Sequence, residues 1–132
     1  IIFSRKLSYF PEKPRLKPEE ENYNYWVFTY VKIGKTKEFV EIIKKWKNLY
    51  ESKNISDGYS IYIGDFGTEQ PLYIWQLTGK NEVDFWTQNN SINEMLGDKG
   101  KALWQETSKL LRKVEYKDGW YRPEFSYKPV NK

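Results

Sequence analysis

The side chains able to do chemistry in this chain are few, and their types set its range. Among 132 residues there is no His and no Cys. That excludes imidazole bases, thiol nucleophiles, thiolate metal sites, disulfides and a histidine-held haem. Acid–base work would fall to Asp65 or Glu69, in the run Gly64-Asp65-Phe66-Gly67-Thr68-Glu69-Gln70-Pro71, or to Tyr and Lys. Asp65 stands at a strand end, where a carboxylate could face a pocket mouth, although turns take Asp far more often for backbone reasons. Arg122 is the charged group best suited to orient an anion; its alternatives are pairing with Glu124 or capping a carbonyl. Rings are abundant: 6 Trp, 11 Tyr and 7 Phe make up 18% of the chain. Rings fill the cores of small domains and also line ligand and protein surfaces, so their placement decides their use.

Composition bounds the rest. With 39% hydrophobic and 30% charged residues, the chain reads as one folded domain with one core. The net charge of +4 is mild, and its cations are scattered among acids, which makes no case for nucleic acid. No apolar run approaches the length of a membrane span. The chain opens on Ile1 rather than Met, which reads as a trimmed or processed product from which an export signal could have been removed.

The elements that must position these groups follow from pattern. Pro11, Pro14 and Pro18 keep residues 1–22 out of helix interiors, so they read as an extended arm and linker. Residues 23–33, dense in aromatic and β-branched types, read as the first strand, ended by Gly34. Phe39, Ile42, Ile43, Trp46, Leu49 and Tyr50 then recur at helical spacing. Residues 59–63 and 72–78 read as the second and third strands. Asn81 is spaced to cap a helix over 82–96, broken at Gly97 to Gly100 and resumed over 101–113. Lys117-Asp118-Gly119 reads as a turn, residues 120–127 as the fourth strand, and residues 128–132 as a tail. The order predicts an α+β, ferredoxin-like βαββαβ domain over residues 23–127. Its four-stranded antiparallel sheet would carry both helices on one face.

Alternation splits each strand into two faces. The expected helix-side set is Val27, Thr29 and Val31 with Tyr59, Ile61, Ile63, Leu72 and Ile74. The opposite face then holds Trp26, Phe28, Tyr30, Tyr62, Tyr73 and Trp75. So large an aromatic face needs a cover. The two chain ends also echo each other, as Arg5-Lys6-Leu7-Ser8-Tyr9-Phe10-Pro11 and Arg122-Pro123-Glu124-Phe125-Ser126-Tyr127-Lys128-Pro129. The echo suggests that the first is the closing strand of a preceding repeat.

With Val31-Lys32-Ile33-Gly34, Pro71-Leu72-Tyr73-Ile74-Trp75 and Arg122-Pro123-Glu124-Phe125-Ser126-Tyr127, the chain resembles the dimeric α/β-barrel superfamily over residues 23–127. It looks most like an uncharacterised bacterial branch, often exported. The resemblance implies half of a barrel, closed by a second copy or a tandem unit, and an exported or periplasmic location. It implies no cofactor, because the haem branch's His has no counterpart here.

Two functional classes follow. One is a non-catalytic binding or assembly domain whose aromatic face pairs with a second sheet and encloses a small-ligand pocket. The other is a cofactor-independent enzyme, monooxygenase- or isomerase-like, acting on a small aromatic or lactone-like substrate. RNA-recognition domains share the element order, but the third strand lacks their basic-Gly-aromatic opening, so a nucleic-acid partner is not expected.

Overall fold

The computed structural model of the chain describes residues 1–64 and 71–120. Its elements are β1 (Ile2–Tyr9), β2 (Tyr23–Val31), α1 (Thr36–Ser52), β3 (Tyr59–Ile63), β4 (Leu72–Gly79), α2 (Glu82–Lys109) and β5 (Leu111–Trp120). The strands form one antiparallel sheet in the order β1-β3-β4-β2-β5, with both helices packed on one face.

The expected α+β, ferredoxin-like architecture is present, but the sheet has five strands rather than four. The extra strand is β1, from the segment read as an arm. Arg5 and Lys6 obscure its alternation because β1 is irregular between Ser4 and Tyr9. Ser8 closes the gap: its hydroxyl donates to the Ser4 carbonyl at 2.6 Å and accepts the Ile61 N–H at 2.8 Å. An amide whose strand partner has bulged away is thereby satisfied by a side chain.

The last strand also differs from expectation. The helix ends at Lys109, and β5 begins at Leu111 instead of residue 120. Leu111 pairs with Val31 and Lys113 with Tyr30, so Arg112 is an extra residue. That bulge puts Leu111 and Val114 on the same, helix-facing side. Three-residue spacing in a bulged strand imitates one face of a helix, which is why the pattern reads as helix to residue 113. Lys117-Asp118-Gly119 lies within β5, opposite Trp26, Tyr25 and Asn24. Residues 121–132, including Arg122 and the C-terminal echo, lie outside the described residues, as do Asp65 and Glu69.

Phe39 and Ile43 of α1 bury against Val31, Ile61 and Tyr73 of the sheet. Asn81 caps α2, its side chain accepting the Asp84 N–H at 2.8 Å. Phe85 then lies over Gly79, where an added Cβ would stand 2.8 Å from the Phe85 Cβ. Arg15 ties this corner together. Its guanidinium meets Asp57 at 2.8 and 3.0 Å and Asp84 at 3.0 and 3.1 Å, joining the segment before β2 to the entry of β3 and the first turn of α2. Doubly bidentate geometry of this kind is among the stronger charged contacts.

The Arg15 hydrogen bond holds the Asp84 carboxyl below its ordinary value of 3.8. A carboxyl depressed in the folded state contributes stability above its unfolded value and loses it as pH falls through the folded one. Arg15→Met should cost about 1–3 kcal/mol at neutral pH, between an exposed and a buried pair. Thermal melts should show that gap narrowing as pH falls below 3.8. A gap independent of pH would mean that Arg15 acts by packing alone.

Candidate functional site

Pairing register decides which rings meet the helices. Val27 faces Trp75 and Thr29 faces Tyr73 across β2 and β4. Directly opposed residues share a face. Tyr73 and Trp75 therefore lie on the helix side, with Phe39 5.2 Å from Tyr73 and Tyr59 5.2 Å from Trp75. This corrects the expected placement of these two rings opposite the helices; in β4 it is Leu72 and Ile74 that point away. The assignment by type fails there because every residue from Leu72 to Trp75 is apolar, so alternation carries no contrast.

The remaining expected rings do share the open face. Trp26, Phe28, Tyr30 and Tyr62 cluster there with Leu72 and Ile74. Phe3 of β1 extends the group, 5.4 Å from Tyr62. Basic residues of β5 lie over it: Lys113 is 4.4 Å from the Tyr30 ring and Lys117 4.9 Å from the Phe28 ring. The Tyr30 hydroxyl donates to Glu115 at 2.8 Å. Beside the rings runs a polar row in which Tyr62 donates to Gln76 and Gln76 to Asn24.

The helix face holds a cavity of about 790 Å³ between the sheet and α2. Its floor includes Tyr25, Val27, Thr29, Trp75 and Leu77; Trp46 and Tyr50 of α1 close one end, and Trp86 and Trp104 of α2 flank it. The helix beside it is not straight. Gly97 takes φ 56° and ψ −142°, a conformation open essentially to glycine, and kinks the helix over the cavity. The expected break at this position is present: two helical halves of α2 meet at Gly97 across a kink.

Two threonines aim two of the indoles. The Trp75 Nε1–H donates to Thr29 Oγ1 at 3.2 Å, and that hydroxyl donates to the Tyr73 carbonyl at 2.6 Å. The Trp46 Nε1–H donates to Thr107 Oγ1 at 2.9 Å, and Thr107 donates to the Leu103 carbonyl at 2.7 Å. The polar edges of these rings are occupied. Tyr59 differs: its hydroxyl is buried and has no hydrogen-bond partner. Burial pushes the Tyr25, Tyr50 and Tyr59 phenols above their ordinary range, with nearby Tyr116 and Asp118 adding to the effect at Tyr25. They stay neutral near pH 7 and serve as donors rather than bases.

Sequence reasoning missed the polar rim. Asn89, Asn93, Gly97, Lys101 and Gln105 recur every fourth residue and all line the cavity. Within each half of α2 that spacing sets one edge of a helix, and it was the available signal. Among the described residues no group of His, Cys, Asp and Glu could hold a metal ion, and no helix is long and apolar enough to cross a membrane.

No protein-family model matches the sequence, and no curated relative does. Solved structures do. A NIPSNAP family protein of Agrobacterium tumefaciens is similar at TM-score 0.64 and 14% identity, over 87% of this chain and 97% of its own. A dimeric ferredoxin-like protein from an uncultured marine organism is similar at TM-score 0.58 and 14% identity, over 85% and 97%. A conserved protein of Methanosarcina mazei follows at 0.54 and 17%, over 79% and 97%. At such identities the likeness shows the fold alone: a ferredoxin-like α/β fold.

Gly97→Ala tests what holds the cavity open. Forcing a Cβ into this conformation should cost about 1–3 kcal/mol in a denaturant melt. Near-UV circular dichroism should change with it, because Trp104 sits on the kinked helix. Unchanged stability would show that the kink is not held under strain.

Proposed function

We propose that this chain is a non-catalytic binding domain, in which a second copy covers the open aromatic face and the helix-side cavity takes a small apolar ligand. The observation that carries the reading is the cavity itself. At about 790 Å³ it is within the usual range for small-molecule sites, and rings make up much of its lining. Pairing through the other face is supported by the cluster of Trp26, Phe28, Tyr30 and Tyr62, on which neither helix packs. It also accords with the dimeric ferredoxin-like protein of similar fold. Binding is preferred over cofactor-independent catalysis because the described lining offers neutral phenols, indoles, amides and the single cation Lys101, with no carboxylate to act as base.

The two halves of the proposal have separate tests. Sedimentation of the full chain at high micromolar concentration should give the mass of a dimer, and Phe28→Glu should shift it to monomer while leaving the helix signal intact. A strict monomer would remove the pairing half. The uncharged probe N-phenyl-1-naphthylamine should bind saturably with enhanced fluorescence, and Trp75→Ala should weaken it about ten-fold, as loss of one aromatic wall implies. No saturable binding would remove the ligand half.

A further inference from the structure

We infer that the ligand of the helix-side cavity is a flat apolar acid, its ring system held among the indoles and its carboxylate at the α2 rim beside Lys101. The inference rests on reading the cavity as a binding site and adds the ligand's chemical class. Three observations lead to it.

The interior is largely apolar, with the unpartnered Tyr59 hydroxyl as its exception among the described residues. The Trp46 and Trp75 N–H groups and the Thr29 and Thr107 hydroxyls are engaged with one another and with backbone carbonyls. What these side chains leave for a ligand is ring face and methyl group. Such walls favour a flat hydrocarbon body and penalise a polar one, which would lose its water without gaining partners.

Apart from the phenols, the remaining amide and charged groups are gathered on one edge. Asn89, Asn93, Lys101 and Gln105 follow each other along α2 at intervals of four, with Gly97 at the centre of the row. The amides can donate to an anion, and Lys101 brings charge as well. A ligand with its polar group at one end would match this arrangement, and one polar throughout would not.

The charge has one sign. Among the described lining residues Lys101 is the only one with a formal charge near neutrality, and no Asp or Glu lines the cavity. Lys45 and Lys80 illustrate the contrast, since each is paired with a glutamate, whereas no ion pair involves Lys101. The rim therefore favours an anion over a cation of the same shape.

The test compares 2-naphthoate with 2-naphthamide, which shares its ring system but is uncharged, by titration calorimetry on the full chain. Naphthoate should bind about ten-fold more tightly, the equivalent of roughly 1.4 kcal/mol. Lys101→Gln should bring the two to near equality, Lys101→Arg should retain the preference, and added salt should weaken naphthoate alone. Lys101 is exposed, so neither variant endangers the fold. Equal affinities in the parent chain would overturn the acid inference while leaving an apolar binding site in place. A preference that survives Lys101→Gln would overturn the role of Lys101. Failure of both compounds, together with N-phenyl-1-naphthylamine, would remove the binding site itself.

Discussion

The hydroxyl of Thr29 is a small group on which much of this molecule turns. It is buried on the middle of β2, donates to the Tyr73 carbonyl and accepts the Trp75 indole N–H. One oxygen thus binds the backbone and a side chain of β4 at once. Those bonds are compatible only with the register that sets Thr29 opposite Tyr73 and Val27 opposite Trp75. A slip of one residue would send every ring of β4 to the other face. It would also leave a buried hydroxyl and a buried carbonyl without this bond, at a cost of a few kcal/mol. Register, the division of the rings between two faces and the orientation of one cavity wall are consequences of the same contact.

The cavity depends on a second constraint, at the opposite wall. α2 is fixed at its start by Arg15 bonded to Asp84, by the Asn81 cap and by Phe85 seated over Gly79. Its second half is fixed by Leu103 and Thr107, with Trp46 reaching across from α1 to bond Thr107. Between these anchored halves the helix bends at Gly97. A straight helix would follow one line between its anchors; the bent one spans a gap that side chains do not fill. A space of this size in a small domain forgoes dispersion contacts along all its walls. That loss is expected where a ligand supplies the missing contacts.

The sequence made the helices, the α2 cap and both faces of β2 legible because each carries contrast: apolar against polar at a definite period. Where contrast failed, so did the reading. Leu72, Tyr73, Ile74 and Trp75 are all apolar, so only pairing could decide their faces. β5 was hidden by the bulge at Arg112, which converts strand spacing into helix spacing. β1 was hidden by Arg5 and Lys6 at its own irregularity. The cavity was not legible at all, since no residue pattern announces it. Its polar edge was present as a row of fours that runs across the break at Gly97.

The two faces of the sheet make different demands, and the residues match them. The open face carries Trp26, Phe28, Tyr30 and Tyr62 beneath Lys113 and Lys117, with Glu115 between the lysines. Long basic stems over rings shield apolar area while keeping charge in water. Such a surface tolerates exposure in a lone chain and gains by being covered, which suits an association that need not be permanent. On the helix face two indoles are directed by threonines, and the kinked helix flanks a cavity that stays open to solvent on one side. An assembly surface tolerates variation in how rings pack, whereas a pocket does not. The hydrogen bonds that orient rings, from Trp46 and Trp75 to their threonines, occur on the side proposed to take a ligand, where shape would matter.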